Sequence, residues 1–242
     1  MARVCFRNHR GETLVGDLEG DPGEVAVVLC HGMMSSRKSP KIEYLSSLLT
    51  KRGVMNLRFD FSGRGESEGE VRDLTYSRQK EDLDSAIEYL ASEGVERVGA
   101  FGSSMGGAVA LLTAARDERI SAIGTIAAVA YPGVLEERYP QGVHQWRKAG
   151  EMDFQGEMVG TSFLDDAMMH DVVAAVGVIR APILVIHGLL DETVPVSDAH
   201  DIASAARNVS LNLVDGADHR FSNPVHMRPA MHELVDFFLR EV

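Results

Sequence analysis

Short apolar runs alternate along this chain with stretches whose apolar residues recur every three or four positions. Val25-Ala-Val-Val-Leu-Cys30 is continuous and β-branched, the pattern of a strand covered on both faces. Val54 to Phe59, Val95 to Phe101, Ile120 to Ala127, Pro182 to His187 and Val209 to Val214 predict five more strands. Between them the period lengthens. Leu45, Leu48 and Leu49 share one face of a helical stretch at about 40–52. Over 75–93, Leu83, Ala86, Ile87 and Leu90 fall at i, i+3, i+4 and i+7, and Gly94 stops the pattern. A helix with Ala108, Leu111, Leu112 and Ala115 inward follows the third strand directly, and one containing Leu234, Val235 and Phe238 closes the chain. The opening stretch, Val4 to Glu19, carries a turn at Asn8–Gly11 and predicts a hairpin. Strands alternating with helices imply right-handed crossovers and a mostly parallel sheet with helices on both faces. In such a sheet the ligand site lies at the carboxyl ends of the strands.

Residues 131–175 break the alternation. They are rich in Met and aromatics, among them Tyr131, Trp146, Phe154, Met158 and Phe163, and their periodicity is weak. A structureless loop of that length inside a compact domain is unusual, so an inserted cap is expected over a core made of 1–130 and 176–242. The insertion enters after the fourth strand, at the functional edge of the sheet. Trp146, Met158 and Phe163 are therefore expected to line a substrate pocket, the alternative being a decoration with its own small core.

Composition narrows the class. The 242 residues suffice for one domain with a large core, needing no disulfide framework or metal; the 2 cysteines, Cys5 and Cys30, could not build a framework. The net charge of −12 argues against nucleic acid and anionic membranes as partners. No apolar run approaches the ~20 residues of a membrane span, and the N-terminal stretch lacks the apolar core of a signal peptide. A soluble, cytoplasmic protein is expected, with a small molecule as its partner and a homodimer left open.

The chemistry begins after the third strand, at Phe101-Gly102-Ser103-Ser104-Met105-Gly106-Gly107. This is G-x-S-x-G in a strand–turn–helix setting, where the serine is held on a turn so tight that side chains two positions away would collide. The spacing chooses between the two serines. Ser104 is flanked by Gly102 and Gly106, whereas Ser103 would be flanked by Phe101 and Met105. Ser104 is thus the candidate nucleophile, and the Met105 N–H at the helix start can stabilise an oxyanion. A second donor is expected from Met33, in the loop Cys30-His31-Gly32-Met33, with His31 in a structural role.

A serine nucleophile needs a base, and the base an orienting carboxylate. His219 ends the loop Val214-Asp-Gly-Ala-Asp-His219 after the sixth strand, while His226 and His232 belong to the last helix and His187 reads as a packing or loop residue. Asp191, just beyond the fifth strand, is favoured as the acid over Asp218 and Glu192, which gives the chain order Ser, Asp, His. Asp60-Phe-Ser-Gly63-Arg-Gly65-Glu-Ser67 fails as a dinucleotide fingerprint because Glu68 stands at the third glycine position, so Asp60 is expected to hold local backbone N–H groups. His232-Glu233-Leu-Val-Asp236 falls short of a zinc motif by its last residue. No cofactor and no metal are implied.

Taken in order, these motifs resemble the α/β-hydrolase superfamily: His31-Gly32, Asp60-x-x-Gly63-x-Gly65-x-Ser67, the Gly102–Gly106 elbow, Gly188-x-x-Asp191-x-x-Val194-Pro195 and Gly216-Ala-Asp-His219. The resemblance covers essentially the whole chain and implies an α/β-hydrolase fold with a small cap and a serine hydrolase activity. Within the superfamily, Gly160-Thr-Ser-Phe163-Leu-Asp-Asp-Ala167 is similar to the cap of bacterial cinnamoyl or feruloyl esterases. Some of those place a tyrosine on the cap to bind a phenolic substrate, and Phe163 stands at the matching position. The missing hydroxyl favours simple acyl or aryl esters, so a carboxylesterase is expected, with feruloyl esters, thioesters, amides or peptides, or plain ligand binding, as alternatives.

Overall fold

The computed structural model describes the whole chain, residues 1–242. It opens on β1 (Ala2–Arg7) and β2 (Thr13–Glu19), antiparallel about the expected turn. Then β3 (Val25–Cys30), α1 (Pro40–Lys51), β4 (Met55–Phe59), α2 (Tyr76–Ser92), β5 (Arg97–Ser103), α3 (Met105–Ala114) and β6 (Ile120–Ile126) alternate. The insertion contributes α4 (Leu135–Arg138), α5 (Pro140–Ala149), a hairpin of β7 (Glu151–Phe154) and β8 (Glu157–Gly160), and α6 (Ser162–Ala167). After α7 (Val172–Val178) come β9 (Ile183–Gly188), α8 (Val196–Ala205), β10 (Val209–Val214) and α9 (Pro224–Glu241). No helix is long and apolar enough to cross a membrane.

Eight strands form one sheet in the order β1-β2-β4-β3-β5-β6-β9-β10. Only β2 runs against the rest, being antiparallel to both of its neighbours, β1 and β4. The period-2 geometry of β3 divides the interior. Ala26, Val28 and Cys30 face a core shared with Leu83 and Ile87 of α2 and Leu111 of α3. Val27 and Leu29 face a second core with Leu45 and Leu49 of α1 and Leu234 and Phe238 of α9. Both faces are covered, which is why these strands read as unbroken apolar runs.

The chain moves from β3 to β4 on one side and then returns to β5 on the other. This reversal brings the carboxyl ends of β3 and β5 side by side, with Cys30 opposite Gly102. Loops leaving adjacent strands in opposite directions open a crevice there.

The insertion is ordered, and its centre is aromatic. Trp146 stacks on Phe163 with centroids 5.7 Å apart, meets Phe154 at 5.1 Å, and donates its indole N–H to the Val159 carbonyl at 2.8 Å. Phe163 in turn meets Tyr76 of α2. The sequence boundary at 175 cuts through α7, which packs on α3 and α8 and so lies in the helical layer of the core.

Candidate active site

Ser104 sits between β5 and α3 at φ +55° and ψ −122°. A non-glycine residue there is strained by about 1–3 kcal/mol, and the surrounding backbone enforces it. A Cβ on Gly102 would lie 2.2 Å from the Gly106 carbonyl oxygen, and one on Gly106 would lie 2.4 Å from that of His31. Only hydrogen fits at either place, so the turn can close and lift the Ser104 hydroxyl above the strand ends.

His219 arrives from the loop after β10. Its Nε2 is 3.1 Å from Ser104 Oγ and its Nδ1 is 2.8 Å from Asp191 Oδ2. A carboxylate only accepts, so Nδ1 carries the ring proton and Nε2 is the free acceptor facing the serine hydroxyl. The loop is held by Asp218, which accepts the Ser222 N–H and hydroxyl, and by Glu192, which accepts the His219 N–H at 3.3 Å. Asp218 and Glu192 thus hold the loop's backbone, and neither meets the imidazole.

Asp191 follows β9 with its carboxylate fully buried. Burial alone would raise its pKa, but donors from His187, His219 and the Val194 N–H hold it well below the usual carboxylate range. Oδ1 takes the N–H groups of Thr193 at 2.9 Å and Val194 at 2.8 Å, which aims Oδ2 at His219. His187, read from sequence as a packing or loop residue, reaches Asp191 Oδ2 at 3.1 Å. Its spacing of four residues from Asp191, across a strand end, was the available signal.

The loop after β3 lies against the elbow. A Cβ on Gly32 would stand 3.3 Å from that of Ser104. The N–H groups of Met33 and Met105 donate to no group of the protein, that of Met105 being the first of α3. Two structural devices fix this loop. Buried His31 donates from Nδ1 to the Gly32 carbonyl at 2.8 Å and accepts the Phe61 N–H at Nε2. Burial pushes its pKa down to about 4, which keeps the ring neutral and able to play both parts. Asp60 accepts the N–H groups of Arg37 at 2.8 Å and Glu66 at 3.0 Å and pairs with the buried Arg37 guanidinium. Sequence reasoning assigned Asp60 its backbone partners but gave no role to Arg37.

Lys41, also overlooked, enters from the first turn of α1 and donates to Ser103 Oγ at 2.9 Å. Burial pushes its pKa down to about 8, against the opposing pull of Asp191 and Asp218. The two adjacent serines therefore face different partners, Ser104 toward His219 and Ser103 toward Lys41.

The three cap residues expected to line a pocket are placed otherwise. Trp146 and Phe163 are 4% and 3% exposed and pack together in a small aromatic core, because stacking and the indole hydrogen bond satisfy both rings there. Met158 stands 39% exposed on β8. Substrate would reach the two buried rings only if that aromatic core opened.

The chain is similar to several known proteins. The family model described as serine aminopeptidase, S33, matches residues 21–151. An uncharacterized 31.7 kDa protein of Escherichia coli, from the traX-finO intergenic region, is 32% identical over 120 residues, which are 48% of this chain and 42% of that protein. The chain therefore matches less than half the length of that relative. The mitochondrial palmitoyl-protein thioesterase ABHD10 of Rattus norvegicus is 26% identical over 210 residues, 80% of this chain and 68% of that protein. Among solved structures, Est1E from Butyrivibrio proteoclasticus with ferulic acid bound has a TM-score of 0.88 at 21% identity over 98% of both chains. Mouse alpha/beta hydrolase domain-containing protein 10 has a TM-score of 0.84 at 20% identity over 99% of both chains. At these identities the solved structures establish a shared fold.

Proposed function

The chain belongs to the serine aminopeptidase, S33, family of α/β hydrolases, and from that premise we propose that it is a serine carboxylesterase acting on short-to-medium acyl or aryl esters. The observation that carries the reading is the relay from Asp191 through His219 to Ser104, at 2.8 Å and 3.1 Å. Ser104 Oγ attacks the ester carbonyl while His219 Nε2 takes its proton. The charge left on the carbonyl oxygen meets the free N–H groups of Met33 and Met105, each such donor contributing about 3 kcal/mol to the transition state. Asp191, its carboxylate held ionised, stabilises the imidazolium. His219 then protonates the departing alcohol and takes a proton from water, whose attack on the acyl-enzyme releases the acid and restores Ser104.

A second reading, thioester hydrolysis by the same groups, is favoured by the match to the rat palmitoyl-protein thioesterase across 80% of the chain. One assay separates the two: p-nitrophenyl esters from acetate to laurate, methyl ferulate, and acyl thioesters of the same chain lengths. Fast turnover of short-to-medium esters, well above that of methyl ferulate, is the expected result. Thioesters cleaved far faster than their ester counterparts would move the assignment to a thioesterase. No turnover of any of them by the folded protein would contradict both.

A further inference from the structure

His187 is the penultimate residue of β9, and its imidazole is fully buried. Nε2 lies 3.0 Å from the Val194 carbonyl oxygen and 3.1 Å from Asp191 Oδ2. A carbonyl only accepts, so Nε2 carries the proton and divides it between the two oxygens. Nδ1 is then a buried lone pair without a partner in the protein. A side chain kept only to fill space would leave no such orphan, because leucine or phenylalanine packs without a buried acceptor.

We propose that His187 is a positioning residue for the hydrolytic relay, one that locks the Asp191 carboxylate and competes with His219 for a single oxygen. The inference rests on the reading of Ser104, His219 and Asp191 given above. Each oxygen of Asp191 takes two donors: Thr193 N–H and Val194 N–H on Oδ1, His219 Nδ1–H and His187 Nε2–H on Oδ2. With its acceptor directions filled, the carboxylate cannot turn away from His219. Because Oδ2 is shared, losing the His187 donor would leave that oxygen to His219 alone, and the acid limb of the rate profile should respond. The other charges facing this pair are Lys41 from α1, Asp218 and Arg220 from the loop after β10, and Glu192 beside Asp191.

The test compares the full-length wild type with H187Q and H187F on p-nitrophenyl butyrate across the pH range. Glutamine presents an amide N–H near the position of Nε2–H, and phenylalanine presents none. H187Q is expected to keep kcat within about threefold and to leave the acid limb where it was. H187F is expected to lose roughly ten- to hundredfold in kcat with KM little changed, the cost of a misplaced relay, and its acid limb should move to higher pH. An H187F that keeps its rate, or loses it equally at every pH, overturns the inference, as does an H187Q that loses as much as H187F. Should H187F fail to fold, H187Q and the imidazole nitrogen resonances of His187 in the wild type decide. The Nε2–H tautomer supports the assignment and the Nδ1–H tautomer overturns it. A wild type without Ser104-dependent turnover overturns the underlying reading, whereas Ser104-dependent turnover with H187F unaltered overturns this inference alone.

Discussion

Replacing Gly106 by alanine probes the elbow where it meets the end of β3. The new Cβ would stand 2.4 Å from the His31 carbonyl oxygen and 2.6 Å from that of Cys30. Real Cβ atoms essentially never approach within 3.0 Å, and ordinary contact begins at 3.4 Å. The start of α3 must therefore retreat from the end of β3 by about 0.5–1 Å, since interiors this dense have no slack to absorb the overlap. Both neighbours are backbone, so no side chain can swing aside. The retreat separates Ser104 and the Met105 N–H from the loop that carries the Met33 N–H. A displacement of that size at a reacting centre costs about 10²-fold in rate, and overpacking costs about 1–3 kcal/mol in stability. The assay is kcat/KM for p-nitrophenyl butyrate beside thermal unfolding by circular dichroism. Gly23→Ala serves as control, because a Cβ there meets nothing closer than Val25 N at 4.0 Å. A G106A protein that stays folded and hydrolyses within threefold of the wild type would refute the reasoning.

Two further perturbations test the supports of the site. Asp60→Asn withdraws the charge facing the buried Arg37 guanidinium, whose remaining partners are Asp17 and Glu66. Breaking a buried pair from one side should lower stability by about 3 kcal/mol in urea unfolding; a change below about 1 kcal/mol would show that the pair is not what holds this loop. Lys41 gives a pH signature. Its pKa falls from 10.5 to about 8 through burial, so within that window the unfolded chain holds one proton more than the folded chain and stability rises with pH. Below about 8 the residue is charged in both states and its contribution is constant. K41M should lose that rise, and equal slopes for wild type and K41M across the window would contradict the placement of Lys41.

Strands declared themselves wherever the run was apolar and short: Val25–Cys30 and Val209–Val214 have the bounds expected of them. The elbow at Ser104 was legible because glycine two positions either side answers a steric demand of the turn itself. Other features depend on distant parts of the chain. Helix α8 passed unnoticed because it turns Asp198 inward, fully buried, to accept the Ala130 N–H and pair with Arg138, which spoils the apolar-in, polar-out pattern. The cap helices and hairpin are too short to show a period, and stacking around Trp146 organises them instead. His187 looked like packing because its partner is defined only once the loop carrying Asp191 folds back over the strand end.

Ser104, not Ser103, is the group proposed to attack the substrate, with His219 as its base. Steady-state hydrolysis of p-nitrophenyl butyrate by the wild type, S103A, S104A and H219A tests this most directly, each variant first shown to be folded. S104A and H219A should each lose roughly 10⁴-fold or more in kcat. S103A should keep kcat within about tenfold, having lost only the partner of Lys41. Turnover that survives in S104A, or that disappears in S103A alone, would contradict the account.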